Sequence, residues 1–316
     1  MERVLVTGGA GFIGSNLVRH LLAQRPALRI VTLDALTYAG RRENLDGLPE
    51  TRHAFVHGDI RDRALVDRLL AEHAIDTVLH LAAESHVDRS ITGPAPFIDT
   101  NIVGTFTLLQ AVLAAARPIR FHHVSTDEVY GPLAPDRAPV REGEPYAPSS
   151  PYAASKAASD HLVRAYVTTY GLDATISSCT NNYGPYQFPE KLIPLMITNA
   201  LACKPLPVYG DGRQIRDWLH VEDHCEAIVA IAERGRSGET YHVAGGNQPH
   251  NLEIVERLCD LVSPDARQLI TRVTDRPGHD RRYALDTTKI TSELGWRPRR
   301  SLADGLAETV EWYRRR

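Results

Sequence analysis

A doubly wound α/β fold around a parallel sheet is the class this sequence predicts, on three observations. Short apolar runs alternate with helix-like stretches through the first half of the 316 residues. The runs are apolar throughout instead of at every second residue, as strands covered on both faces are. A glycine-rich turn, Gly9-Ala10-Gly11-Phe12-Ile13-Gly14, joins the first run to the first helical stretch.

Taken in order, buried parallel strands are expected at Val4-Leu5-Val6, 30–33, 54–56, 77–81, 121–124 and Thr175-Ile176. Helical patterns lie between them at 12–23, 63–73, 97–116 and 152–170. Such alternation packs helices on both faces of one sheet and puts ligands beyond the carboxyl ends of its strands. Past about residue 180 the pattern gives way to turns punctuated by Pro and Gly, as in Tyr183-Gly184-Pro185-Tyr186-Gln187-Phe188-Pro189. This predicts a dinucleotide-binding domain over 1–180 and a smaller mixed α/β substrate lobe over 181–316. The two should interlock, because the chain is expected to return to the sheet near 214–243, through a helix at 221–232 and a late strand at Tyr241-His242-Val243. A last helix over 302–316 ends in three arginines, which complement its dipole.

Composition excludes several function classes. A formal net charge of −3 with scattered Lys and Arg leaves no basic footprint for nucleic acid or an anionic membrane. The N-terminus runs into a strand pattern without a secretory leader, and no apolar run approaches membrane-spanning length. Cys179, Cys203, Cys225 and Cys259 are widely spaced, which predicts reduced thiols and no metal site. A cytoplasmic enzyme acting on a small molecule is expected.

The turn reads as G-x-G-x-x-G through Gly9, Gly11 and Gly14, with a strand before it and a helix after it. Glycines there let a backbone approach a pyrophosphate at the helix N-terminus. Asp34 ends the second strand 20 residues past Gly14, where a carboxylate accepts hydrogen bonds from the adenosine ribose. That carboxylate would repel a 2′-phosphate, so NAD is expected, with Arg41 and Arg42 leaving NADP as the minority reading. Asp59-Ile60 and Leu81-Ala82-Ala83 follow the third and fourth strands, where adenine contact and simple packing are equally open readings.

Chemistry concentrates in Ser125-Thr126-Asp127-Glu128-Val129-Tyr130-Gly131 and Tyr152-Ala153-Ala154-Ser155-Lys156. A Tyr and a Lys four apart share a helix face, so the ammonium can stabilise a phenolate and make Tyr152 a base. One hydride transfer needs only that pair. Asp127 and Glu128 therefore imply a second proton-transfer task such as an elimination, against the bland reading of a solvated acidic turn. The scheme needs one acid protonated and the other ionised. His122 and His123 are expected to pack or hydrogen-bond within the strand.

Those segments, with Ala82-Ala83-Glu84-Ser85-His86-Val87-Asp88 and the run from Asn181 to Pro194, resemble the extended short-chain dehydrogenase/reductases. More narrowly, they resemble the dTDP-glucose 4,6-dehydratase family. Val208-Tyr209-Gly210-Asp211-Gly212, Arg216-Asp217-Trp218, 276–280 and Glu293-Leu294-Gly295-Trp296 extend the likeness over essentially the whole chain. Its most discriminating part is Asp127-Glu128, which related epimerases generally lack.

The resemblance implies an NAD-binding Rossmann fold and catalysis by Thr126, Asp127, Glu128, Tyr152 and Lys156. For the cofactor it implies Gly8, Gly11, Phe12, Ile13, Gly14, Asp34, Leu36 and Thr37, then Asp59, Ile60, Leu81, Ala82, Ala83, Ser85, Thr100 and Cys179, with Tyr152 and Lys156. For a nucleotide sugar such as dTDP-glucose it implies Ser85, Thr126, Asn182, Glu190, Lys191, Leu192, Pro207, Tyr209, Arg216, Asn251, Arg276 and His279. It also implies a homodimer in which 97–116 and 152–170 form a four-helix bundle, unless their alanines only pack on the sheet. Ser178 stands where the family usually has arginine, and the chain stops soon after Trp312-Tyr313. A related epimerase or decarboxylase, and a non-catalytic dinucleotide-binding regulator on the same fold, are the competing readings.

Overall fold

Side chains of a strand alternate between its two faces, and here both faces are covered. In β1 (Arg3–Thr7) Val4 and Val6 enter one hydrophobic cluster and Leu5 the other, and all three are fully buried. The computed structural model describes residues 1–275 and 278–316. Within it β1 joins β2 (Arg29–Asp34), β3 (His53–His57), β4 (Thr77–His80), β5 (Arg120–Thr126), β6 (Ala174–Cys179) and β10 (Thr240–Val243) in a seven-stranded sheet. All neighbours are parallel, in the order β10-β6-β5-β4-β1-β2-β3.

Helices α1 (Phe12–Gln24) and α6 (Val221–Arg234) cover one face, closing a core of Leu17, Leu21, Val124, Val221 and Ile228. The other face carries α2 (Arg63–Glu72), α3 (Ala95–Ala114) and α4 (Pro151–Tyr170), over Val66, Leu69, Leu108, Phe121, Val163 and Ile176. Helix α4 starts at a capping serine: Ser150 Oγ accepts from Ala153 N at 3.1 Å, and Pro151 opens the first turn. Such a cap stabilises a helix by about 1 kcal/mol. Gly171, left-handed with φ 69°, ends it.

Helix α3 departs from the uniform helix expected. Ile98–Gly104 is wound as π-helix between α-helical turns. The wider turns carry Asn101 inward, where its amide bonds Glu84 N at 2.8 Å, Glu84 O at 3.0 Å and Ser155 Oγ at 2.8 Å. This fixes the loop after β4 against α4 and satisfies polar groups that would otherwise be stranded. By length and composition α3 is also apolar enough to cross a membrane, where no run of that length was expected; half of it is buried in the fold.

After β6 the chain builds a smaller lobe from two paired strands, β7 (Asn181–Tyr183) with β9 (Trp218–His220) and β8 (Leu206–Tyr209) with β11 (Ile270–Val273). Helices α5 (Leu192–Leu201), α7 (Asn251–Val262) and α9 (Leu302–Arg314) pack on them around Ile193, Ile197, Leu206, Ile254, Leu258 and Leu306. A further helix, α8 (Thr288–Leu294), rests its Ile290 and Leu294 on Tyr241 and Val243 of β10. Of the expected return at 214–243, only β10 enters the main sheet. Residues 218–220 pair instead with β7, which continues the chain just past β6.

Candidate active site

Strands β2 and β3 lie to one side of β1, and β4, β5 and β6 to the other. The crevice beyond the carboxyl ends at such a reversal is where open α/β sheets bind ligands. A cavity of about 550 Å³ occupies it, lined from the glycine turn, Asp34, Asp59, Leu81, Ser125 to Glu128 and Cys179.

The glycine turn is built for close approach. A Cβ on Gly14 would collide with Gly8 O and sit 2.6 Å from Gly9 Cα, so only glycine lets α1 begin this close to the turn. Asp34 is buried at the rim, its carboxylate accepting from Ala10 N at 2.9 Å and Leu36 N at 2.8 Å. Burial raises its pKa and those backbone donors oppose the rise. Gly8, Gly11, Phe12, Ile13, Gly14, Asp34, Thr37, Asp59, Ile60, Leu81, Ala82, Ala83, Ser85, Thr100, Tyr152, Lys156 and Cys179 all line this cavity. Leu36 does not: its backbone is left-handed, with φ 49°, and its side chain packs into the core under α1.

Opposite the turn, β5 runs into one 3₁₀ turn, Asp127–Tyr130. Thr126 Oγ1 accepts from Glu128 N at 3.3 Å and donates to Asp127 Oδ1 at 3.3 Å. Gly131, at φ 73°, ends the turn where a Cβ would strike Ala147 O. The two acids are unlike in setting. Asp127 is 3 % exposed and its Oδ2 has no hydrogen-bond partner among the described residues, whereas Glu128 is half-buried. Burial, and then the neighbouring Glu128, hold the Asp127 carboxyl well above the usual carboxylate range, which favours its protonated form.

Tyr152 and Lys156 face the same cavity from α4. The expected action of Lys156 on the tyrosine has burial to work against. Burial, followed by Glu128, raises Tyr152 well above its ordinary value, and the Thr126 hydroxyl works against this. Lys156 is itself buried, donates to Val124 O at 2.8 Å and is pulled by burial to about 8.

Comparison with known proteins decides between the related chemistries. The family model described as GDP-mannose 4,6 dehydratase matches residues 5–309. A dTDP-glucose 4,6-dehydratase of Shigella flexneri is 53% identical over 98% of this chain and 92% of its own length. The chain belongs to the dTDP-glucose 4,6-dehydratase family. A dTDP-glucose 4,6-dehydratase of Streptomyces venezuelae, solved with NAD bound, superposes with a TM-score of 0.94 at 53% identity, over 99% of this chain and 97% of that one. Fold alone would not separate the dehydratase family from epimerases. A UDP-glucose 4-epimerase of Thermotoga maritima reaches a TM-score of 0.91 at 30% identity, over 99% of each chain.

The residues that dehydratase resemblance assigns to substrate fall into two groups. Ser85, Thr126, Asn182, Glu190 and Lys191 line the cavity, where Lys191 Nζ donates to Ser85 O at 3.0 Å and Glu190 lies 3.3 Å from His86 Nε2. Leu192, Pro207, Tyr209, Arg216, Asn251 and His279 do not line it. They sit on the smaller lobe: Leu192 opens α5, Pro207 and Tyr209 lie on β8, and Asn251 opens α7. Tyr209 is 41% exposed and meets His279 edge-on at 6.0 Å. Asn251 Oδ1 is buried without a hydrogen-bond partner among the described residues. Arg216 links the groups: it donates to Asp280 O at 2.9 Å, stacks on Tyr283 and pulls electrostatically on Asp127. Arg276 lies outside the described residues.

Sequence reasoning missed several neighbours of this dehydratase site. Tyr38 and Phe188 meet edge-on at 6.0 Å on the cavity wall, and Asp217, within electrostatic reach of Asp127, is pushed up by burial to about 6. Tyr38 carries no local signal, whereas Phe188 and Asp217 stand within runs that carry the resemblance. Asp160 carries a signal of its own, since it follows Lys156 by the same four residues that separate Lys156 from Tyr152. Ser178 is fully buried on β6, its Oγ without a hydrogen-bond partner among the described residues.

Proposed function

We propose that this protein is an NAD-dependent lyase that converts dTDP-glucose to dTDP-4-keto-6-deoxyglucose and water. The observation that carries the reading is the unequal acid pair: a buried Asp127, its pKa raised and one oxygen without a hydrogen-bond partner among the described residues, beside a half-buried Glu128, both in the cavity with Tyr152 and Lys156. The glycine cradle and Asp34 fit a dinucleotide with a free ribose 2′-hydroxyl, and relatives solved with NAD support that choice. Bound NAD supplies the hydride acceptor for C4 and the hydride donor for C6.

The residues of the chain supply the proton transfers. Tyr152, as phenolate, takes the proton of the C4 hydroxyl while Thr126 hydrogen-bonds that oxygen. Burial opposes the phenolate, so the Lys156 ammonium one turn along carries the stabilisation. A C4 ketone makes the C5 proton acidic, and Glu128 removes it. Asp127 gives its proton to the C6 hydroxyl, which leaves as water, and Glu128 later returns a proton to C5. Atoms balance with one water lost and no net reductant used. Ser85, Asn182, Glu190 and Lys191 would hold the sugar end; Leu192, Pro207, Tyr209, Arg216, Asn251, Arg276 and His279 would hold the nucleotide and diphosphate, where the arginine fork matches phosphate geometry.

Purified protein given dTDP-glucose without added reductant is expected to form a product lighter by one water, seen by mass spectrometry. An isomer of unchanged mass would favour an epimerase. No turnover on dTDP- or UDP-sugars would leave a binding protein.

The protein is further proposed to act as a homodimer. Ile98, Val103, Phe106 and Leu113 of α3 and Tyr170 of α4 are large, apolar and 37–54% exposed, on the two helices expected to pair about a twofold axis. An unpartnered stripe of this kind marks an interface. Val103→Glu with Phe106→Glu is expected to weaken dimerisation by about 2 kcal/mol or more, roughly thirtyfold in dissociation constant, by sedimentation equilibrium. A cytoplasmic location is proposed with it, since the four cysteines are free thiols, as in a reducing compartment.

A further inference from the structure

Beneath the active site, between β5 and α4, lies a buried polar chain to which the reaction assigns no role. Lys156 Nζ stands 3.3 Å from His123 Nε2, and the same nitrogen stands 3.2 Å from Asp160 Oδ1. His123 and Asp160 are both fully buried. The carboxylate is held from its other side: Asp160 Oδ2 accepts from Ser125 Oγ at 2.8 Å and from Tyr146 OH at 2.9 Å. Arg164 donates to that tyrosine hydroxyl at 2.6 Å and to Thr240 Oγ1 at 3.2 Å. Three ionisable groups this deep are costly unless their charges match.

We propose that Asp160, fully buried one helical turn beyond Lys156 and against the same His123 ring, is the buried counter-charge that holds Lys156 as an ammonium ion and so positions the cation that Tyr152 needs as a base. The inference rests on Tyr152 and Lys156 acting as described above. His123 is a neutral ring, because burial and then Lys156 keep its pKa well below the ordinary value, so its Nε2 can accept from Lys156; burial raises the Asp160 pKa, and Lys156 first, then the Ser125 and Tyr146 hydroxyls, oppose that rise. The groups facing Lys156 from each packed element are few. Tyr152 and Asp160 lie on its own helix, His123 on β5, His80 on β4 and Cys179 on β6, with Asp127 and Glu128 beyond the tyrosine. His80 does not compete for the charge: its two nitrogens are engaged by Thr7 Oγ1 at 2.8 Å and Thr105 Oγ1 at 2.9 Å, and burial keeps it neutral. The Cys179 thiol is pushed by burial to about 12, so it brings no charge at working pH. Of the groups that raise Lys156 against burial, Asp160 is the largest. Neither His123 nor Asp160 lines the cavity, so both act through the lysine as positioning residues.

The test reads Lys156 directly and through turnover. The chain has four lysines, at 156, 191, 204 and 289, few enough for the ¹³Cε resonance of Lys156 to be followed against pH in labelled holoenzyme. In Asp160→Asn and in His123→Leu its midpoint is expected to fall by about one pH unit or more, with the alkaline limb of kcat/KM for dTDP-glucose falling equally. His123→Gln keeps an acceptor toward Lys156 and is expected to retain the unaltered midpoint. If Asp160→Asn does not fold, the two His123 variants carry the comparison. A midpoint and alkaline limb unmoved in the folded variants, with rate lost equally at every pH, would overturn the pairing and leave a packing role. If the unaltered protein shows no turnover at any pH, the dehydratase reading fails, and the lysine titration alone decides whether Asp160 holds the charge.

Discussion

Glu128→Gln is expected to lower turnover of dTDP-glucose by about 10²–10⁴, the range for removal of a positioned general base. The amide keeps the length and polarity of the side chain and loses its negative charge, and with it the ability to take the C5 proton. Because Glu128 is half-buried and opens on the cavity, an amide of the same size fits its place, so folding should survive the change. The distinguishing readout is isotopic. In deuterated water the unaltered enzyme should deliver product carrying deuterium at C5, whereas the variant should neither exchange C5 of the bound sugar nor release water. Binding of substrate and oxidation at C4 belong to Tyr152, Lys156 and the cofactor, and should persist. Residual product fully deuterated at C5 at an unchanged rate would remove Glu128 from the base role.

Much of this site is local in the chain, which is why so much of it could be read there. A buried parallel strand announces itself by an unbroken apolar run, and β1, β2, β4 and β5 did so because helices cover both faces. The glycine turn and the Tyr152/Lys156 spacing are contiguous motifs whose geometry follows from one helix turn. Tertiary facts were not legible. Leu36 lies between cavity-lining Ala35 and Thr37, with a left-handed backbone and its partly buried side chain against the core, an orientation that no local pattern gives. The π-helical turns of α3 depend on Asn101 reaching a loop and a helix distant in sequence. Helix spacing places a cation near Tyr152, but desolvation, which raises the phenol, is a property of the whole packed site. His122 and His123 are expected to pack or hydrogen-bond, and His122 does so between strands, bonded to Thr175 Oγ1 and Ser177 Oγ at 3.0 Å each. The second differs only because β5 turns it toward Lys156 and Asp160.

Asp127→Asn separates catalysis from stability, and the two effects are expected to have opposite signs. Asparagine cannot protonate the departing C6 hydroxyl, so turnover should fall by about 10²–10⁴ while C5 exchange, which belongs to Glu128, continues. Stability follows from linkage. The folded pKa of Asp127 lies well above its unfolded value of about 3.9, through burial first and Glu128 second. A carboxyl raised in this way contributes stability that is fully present below the unfolded pKa and is lost progressively as pH rises toward the folded pKa, because the unfolded chain ionises freely and the folded one does not. The amide has no such loss. The variant should therefore gain melting temperature over the unaltered protein as pH rises from 4 toward 8, and lose that advantage at pH 4. Melting curves at the two ends of this range, with C5 exchange measured beside them, check both signs together. A variant equally active, or one whose relative stability does not change with pH, would show that Asp127 is ionised in the folded protein and would transfer the acid role elsewhere. A buried acid kept protonated at a cost in stability is expected where the proton is needed for chemistry, because an amide would pack in the same space without that cost.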